Sequence, residues 1–162
     1  SGVKKLLPGY TLIFKKSGLS ISKYFGLESI NSPKSESLDE ILKAAVKSQL
    51  VSDVPVGVFL SGGLDSSLLA YYVTKYKKLK SFSIGFKEVG FDESKHAHAV
   101  ARKIGTQHYS EEFGAKDVID IYEKIIPELD EPLADASLIP TYKVSLLARE
   151  HVTVALSGDG GD

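Results

Sequence analysis

The pattern of apolar and polar positions changes character near residue 35. Before it, Val3–Leu7, Tyr10–Phe14 and Ile21–Phe25 are short apolar or alternating stretches, punctuated by the turn dipeptides Pro8-Gly9 and Ser17-Gly18. They predict two or three short strands, then a serine-rich linker over Glu28–Glu36 that contains Pro33. From Ser37 the period lengthens. Ser37 and Glu40 have the spacing of a capping box, and Leu38, Ile41, Leu42, Ala45, Val46 and Leu50 follow at helical intervals. Val54–Leu60 is then a continuous apolar run, as expected of a strand buried on both faces.

Further along, the chain alternates. The pattern predicts helices at about Leu64–Lys77, Glu93–Ile104, Lys116–Leu129 and Leu138–Glu150. It predicts strands at Ser81–Phe86, Gln107–Glu111 and Val152–Leu156, the last again read as buried. Strands that alternate with helices imply parallel βαβ units in a doubly wound sheet. The chain therefore divides into residues 1–34, a short β remnant with its linker, and residues 35–162, an α/β domain. Because residues 1–34 have too few partners to bury their strands, they read as the edge of a neighbouring domain.

Composition narrows the function. The 162 residues are 43% hydrophobic and 25% charged, with a formal net charge of -1. Acids and bases are interspersed, so the basic face typical of nucleic-acid or membrane-surface binding is absent. No apolar run approaches the ~20 residues needed to span a bilayer, and no signal-peptide pattern opens the chain. With no cysteine there is neither a disulfide nor a thiolate metal site, which points to the cytoplasm by default. There is no methionine either, so Ser1-Gly2 reads as a cloning remnant or an internal cut.

Two glycine-serine loops carry the chemistry. Ser61-Gly62-Gly63-Leu64-Asp65-Ser66-Ser67 lies between a strand and a helix. Glycines let a backbone approach an anion, a helix start offers free N–H groups, and serines add hydroxyl donors. The loop is neither a Walker A sequence nor a dinucleotide fingerprint. Two readings are open at this point: an anion cradle, or a plain strand-to-helix turn capped by Asp65 and Ser66. A carboxylate within a phosphate cradle is tolerable only with a cation between them, so Asp65 favours a Mg²⁺–pyrophosphate site. The second loop, Ser157-Gly158-Asp159-Gly160-Gly161-Asp162, also follows a strand and adds two more acids. If the two preceding strands are neighbours, both loops meet at one crevice.

SGGLDSS after an apolar strand resembles the pyrophosphate loop of the ATP-pyrophosphatase family. The run PVGVFLSGGLDSS, with FSIGF, FDES followed by Ala97-x-x-Val100-Ala101, LDEP, IPTY and VTVALSGDGGD, is similar to the glutamine-hydrolysing asparagine synthetases over essentially the whole chain. That resemblance implies a Rossmann-like parallel α/β sheet of the adenine nucleotide alpha hydrolase type. It also implies activation of the aspartate side-chain carboxylate by ATP as an acyl-adenylate, followed by amidation with ammonia from glutamine. Ser61, Gly62, Gly63, Asp65, Ser66 and Ser67 match the pyrophosphate loop. Phe59 and Ile84 match adenosine-pocket positions, and Ser157 and Gly158 the pair that contacts the nucleotide. Asp65 and Asp162 match the Mg²⁺ ligands. Asp159 matches an acid near the acyl-adenylate, where it is placed to accept a proton from ammonia. The implied partners are ATP, aspartate, ammonia and a glutaminase domain absent from this chain, with no nucleic acid and no membrane. The resemblance also implies that a 162-residue piece ends before the active site is complete and is inactive alone.

Sibling enzymes share these motifs, among them a β-lactam synthetase or an amidotransferase acting on another carboxylate. A regulatory nucleotide-binding module would not need the three acids. Neither Ser61 nor Ser157 sits in the Gly-x-Ser-x-Gly context of a serine hydrolase. Asp130, Glu131, Asp135 and Ser137 form an acidic turn better suited to capping than to a substrate pocket. His96 and His98 are two apart on a predicted helix, which makes a poor metal pair. His108 and His151 read as structural, and Lys77, Lys78 and Lys80 as a solvated run at a helix end.

Overall fold

A computed structural model describes residues 2–29, 37–86, 94–131 and 133–160. The predicted linker beyond Ser29, Phe91-Asp92-Glu93, Pro132, Gly161 and Asp162 lie outside the described residues. The chain divides into two compact units, one up to Ser37 and one from Leu38 onward. In the first unit, β1 (Tyr10–Lys15) pairs antiparallel with β2 (Gly18–Lys23) in a hairpin that turns at Lys16-Ser17, followed by a 3-10 turn at Leu27–Ser29. Val3–Leu7 takes no regular structure, so two strands form rather than three. Leu12, Ile13, Phe14, Leu19 and Ile21 are all exposed, because a two-stranded ribbon has no layer to cover it.

The second unit is the α/β domain. Its elements are α1 (Leu38–Gln49), β3 (Val56–Phe59), α2 (Leu64–Thr74), β4 (Lys80–Phe86), α3 (Ser94–Ile104), β5 (Gln107–Phe113), α4 (Ala115–Ile125), α5 (Leu138–Arg149) and β6 (Val154–Leu156). The four strands form one parallel sheet in the order β5-β4-β3-β6. The chain winds outward from β3 through β4 to β5, then returns to β3's other side as β6. Strand order thus reverses at β3, as in other doubly wound sheets.

Alternation along β3 and β4 builds the two faces. Val56, Val58 and Leu60 pack into a core with Val46 of α1, Leu50 just after it, Ala70 and Val73 of α2 and Ala97 and Ala101 of α3. On the opposite face Phe82 packs with Leu147 and Ala148 of α5, and Phe59 joins that layer. Ile84 and Phe86 continue this face toward Ile121 and Ile125 of α4. Phe82 is fully buried and lies stacked near Tyr109 and His151, with ring centroids 5.5 Å and 5.9 Å away. Its ring crosses β3 at Gly57, where an added Cβ would stand 2.5 Å from Phe82 Cε2. Across the helices, the Tyr72 hydroxyl of α2 donates to Asp39 of α1 at 2.7 Å.

Three local expectations differ from the observed structure. The helix predicted to reach Leu129 ends at Ile125 and tightens into a 3-10 turn at Ile126–Glu128, because Pro127 has no N–H to continue the α-helical ladder. β6 is not buried on both faces. It stands at the edge of the sheet among the described residues, and Val154 is 37% exposed. Lys77 and Lys80 are not merely solvated, since their ammonium groups donate to the carbonyls of Leu50 and His151 at 3.4 Å. His151 stacks on Tyr109 at 3.8 Å, and His108 sits between two buried serines.

Two outcomes follow for stability. Gly57→Ala should lower unfolding free energy by roughly 1–3 kcal/mol in urea titration, because the methyl must displace a ring that has no free space beside it. Burial, and secondarily the nearby His98, push His108 down to about 4 from an ordinary 6.5. Between those two values the unfolded chain binds a proton that the folded chain refuses. Stability is therefore full well above pH 6.5 and falls as pH drops toward 4. Urea midpoints measured against pH should show this extra acid sensitivity in the wild type and not in His108→Gln.

Candidate functional site

Because β3 and β6 are adjacent and parallel, with Val58 opposite Leu156, the loops that follow them leave the same edge of the sheet side by side. They approach closely. A Cβ on Gly158 would lie 2.9 Å from the Ser66 backbone nitrogen and 3.2 Å from the Asp65 Cβ. Glycine is therefore required at 158 for the second loop to rest against the first turn of α2. Gly62 has φ +89, which favours glycine, and a Cβ there would also meet the α3 backbone at Ala97, 2.6 Å away.

Within the first loop the Ser61 hydroxyl accepts from the Gly63 N–H at 3.2 Å and bonds to the Ser66 hydroxyl at 2.9 Å. Ser66 also donates to the Gly63 carbonyl, and no side chain caps α2. The capping role for Asp65 and Ser66 is therefore not used. An α-helix leaves its first N–H groups without intrahelical partners, and here nothing from a side chain takes them up. The Ser67 hydroxyl is buried and bonds to nothing among the described residues. The unpartnered N–H groups at the start of α2, beside a glycine-lined turn, suit an anionic ligand. In the second loop the Ser157 hydroxyl accepts from the Asp159 N–H at 3.0 Å and donates to the Asp159 carboxylate, which holds that acid at the edge of the crevice.

The crevice opens into a cavity of about 410 Å³. Of the residues singled out from the sequence, Phe59, Ser61, Gly63, Asp65, Ser66 and Ile84 line it, and so do Ser157, Gly158 and Asp159. Gly62 and Ser67 do not. Gly62 is turned against α3, and Ser67 lies one residue further into α2. Asp162 lies outside the described residues. Ser83 of β4 and Thr141 of α5 also line the cavity and were not individually anticipated, although both fall inside motifs that were, FSIGF and IPTY. The acidic turn before α5 is local structure. Asp135 accepts from both the N–H and the hydroxyl of Ser137 and does not line the cavity.

The family model for asparagine synthase matches residues 37–162, which contain both loops and every element of the parallel sheet. The chain belongs to the asparagine synthase family. It is 36% identical to asparagine synthetase (glutamine-hydrolyzing) 1 of Bacillus subtilis over 99% of this chain and 26% of that relative. It is 47% identical to a putative asparagine synthetase (glutamine-hydrolyzing) 2 of Methanocaldococcus jannaschii over 76% of this chain and 24% of that relative. Against asparagine synthetase B (glutamine-hydrolyzing) of Escherichia coli the identity is 32%, over 77% of this chain and 26% of the relative. The chain thus spans about a quarter of the length of the curated relatives it matches. The first of these alignments takes in nearly all of the chain, while the family model begins at residue 37.

Among the described residues no group of three or more acids or histidines is assembled to hold a metal, and no helix is long and apolar enough to cross a membrane. The crevice should respond sharply to Gly158→Ala. The added methyl would stand 2.9 Å from the Ser66 backbone nitrogen, so urea titration should show unfolding free energy lowered by roughly 1–3 kcal/mol.

Proposed function

We propose that this chain forms the nucleotide-binding part of an enzyme that makes asparagine from aspartate, ATP and ammonia released from glutamine. The observation that carries the reading is the meeting of the two glycine-serine loops at the carboxyl ends of adjacent parallel strands, around a cavity that nine of the anticipated residues line. Nucleotides bind at that kind of place in doubly wound sheets. Family membership and the relatives' names support the choice of reaction.

In this reading the adenosine lies against Phe59 and Ile84, and the β- and γ-phosphates rest on the loop from Ser61 to Ser67. Ser157 and Gly158 contact the nucleotide from the other side. The aspartate side-chain carboxylate attacks the α-phosphorus, the bond from that phosphorus to the α,β-bridging oxygen breaks, and pyrophosphate leaves an acyl-adenylate behind. Ammonia then adds to the acyl carbon, AMP departs, and Asp159 accepts the proton that the new amide sheds. Backbone N–H groups and hydroxyls of the first loop stabilise the charge that gathers on the departing pyrophosphate. Asp65 and Asp162 would hold a Mg²⁺ ion that neutralises part of that charge. Mg²⁺ commonly takes one or two carboxylates together with phosphate oxygens and water, so two acids are a sufficient protein contribution.

Residues 1–34 are read as the end of a glutaminase domain with its linker, and 35–162 as the first part of the synthetase domain. The ammonia-releasing nucleophile is expected outside this chain, which has no cysteine. On this reading the 162 residues alone make no asparagine.

Asp65→Asn in the intact protein tests the reading. ATP-dependent pyrophosphate release in the presence of aspartate should fall at least about a hundredfold. The thermal midpoint should barely move, because the Asp65 side chain is exposed and caps nothing. Undiminished release in the variant, or no release by the wild type, would defeat the proposal.

A further inference from the structure

The face of β4 opposite Phe82 is polar where a buried strand is expected to be apolar. Ser81 is 0% exposed and Ser83 5%. A buried hydroxyl is costly unless hydrogen-bonded, and here the partner comes from the next strand. The β4–β5 register sets Ser81 beside His108. The imidazole then bridges the two serines, with Nδ1 2.8 Å from the Ser81 hydroxyl and Nε2 3.0 Å from the Ser83 hydroxyl. Thr106 extends the chain of hydroxyls, 2.8 Å from Ser81. His98 of α3 packs its ring edge-on against His108 at 4.7 Å.

Protein partners alone account for Ser81. Ser83 differs, because it stands at the cavity wall next to Ile84, and its bond to His108 engages only one of a hydroxyl's three hydrogen-bonding capacities. A neutral imidazole has one donor and one acceptor nitrogen, so one serine gives its proton to the ring while the other receives one. The ring is neutral near pH 7, since its burial disfavours the charged form. Whether Ser83 donates to the ring or accepts from it is thereby coupled, through the imidazole tautomer, to Ser81 and Thr106.

We propose that Ser83 contacts the nucleoside portion of the bound nucleotide and helps determine its recognition, and that His108 is the positioning residue that presents the Ser83 hydroxyl. This rests on the reading that the cavity takes ATP. The contact is with the nucleoside rather than the phosphates. Ser83 belongs to β4 beside Ile84, whereas the anion cradle is built by the loops after β3 and β6.

The test is calorimetric titration of the intact protein with ATP and, separately, with inorganic pyrophosphate. Ser83→Ala should raise the ATP dissociation constant about three- to tenfold, the loss expected of one hydrogen bond, and leave pyrophosphate affinity unchanged. His108→Asn, whose amide reaches only the Nδ1 position, should weaken ATP to the same degree as Ser83→Ala. Combining the two should cost nothing more, as expected of residues that act as one unit. His108→Gln, whose amide reaches the Nε2 position, should restore ATP affinity to within about twofold of wild type. Wild-type ATP affinity in Ser83→Ala, an equal loss for pyrophosphate, or additive losses in the double variant would each overturn the proposal. A wild-type protein that binds pyrophosphate but no ATP would instead overturn the nucleotide reading beneath it.

Discussion

The domain depends on one close approach, the Phe82 ring lying across the bare backbone of Gly57. Any side chain at 57 would occupy the space the ring fills. The contact packs β4 over β3 on the α5 side and carries the stack of Phe82, Tyr109 and His151. With β3 in the middle, β4 and β6 align on either side, and the loops that follow β3 and β6 emerge level. The crevice is a consequence of that alignment. No residue in either loop could bring Ser66 and Gly158 together if their parent strands were not adjacent.

The two faces of the sheet solve burial differently. The α5 side is aromatic and aliphatic and gains from apolar area removed from water. Behind β4 on the α3 side, the buried hydroxyls of Ser81 and Ser83 meet the half-buried Thr106 and His108 instead, and every one of the four has a partner. A satisfied polar layer costs little net stability but specifies register strictly, since a one-residue slip of β5 would separate His108 from both serines. The apolar face makes the sheet stable, while the polar face fixes how its strands align.

Much of this was legible in the sequence. The apolar run through Val56 and Val58, the glycine pair at 62–63 and the strand-helix alternation were enough to place the sheet and the first loop. Pro127 carried the signal that ends α4 early, but it sat inside a longer helical pattern that masked it. The exposure of Val154 was not readable, because a short apolar strand looks alike whether it lies at the edge or in the middle. The pairing of His108 with Ser81 and Ser83 was also out of reach, since it depends on how β5 registers against β4. Both serines were visible as polar residues in a strand otherwise expected to be apolar, which is the signal that could have singled them out. The acid pair Asp65 and Asp162 was anticipated from motif alone, and only Asp65 falls among the described residues.

The stack at Tyr109 has a spectroscopic consequence. The chain has eight tyrosines and no tryptophan, so its near-ultraviolet signal belongs almost entirely to tyrosine. Tyr109 is held rigidly, 3.8 Å from the His151 ring and beside the fully buried Phe82, in the asymmetric surroundings that give an aromatic ring a strong circular-dichroism band. Tyr24 and Tyr122 are exposed and far freer to average their surroundings away. The near-ultraviolet band therefore reports on two packings, the sheet face at Tyr109 and the α1–α2 contact at Tyr72, which is 6% exposed. A state that kept its helices but loosened both packings would lose this band while its far-ultraviolet spectrum stayed nearly intact.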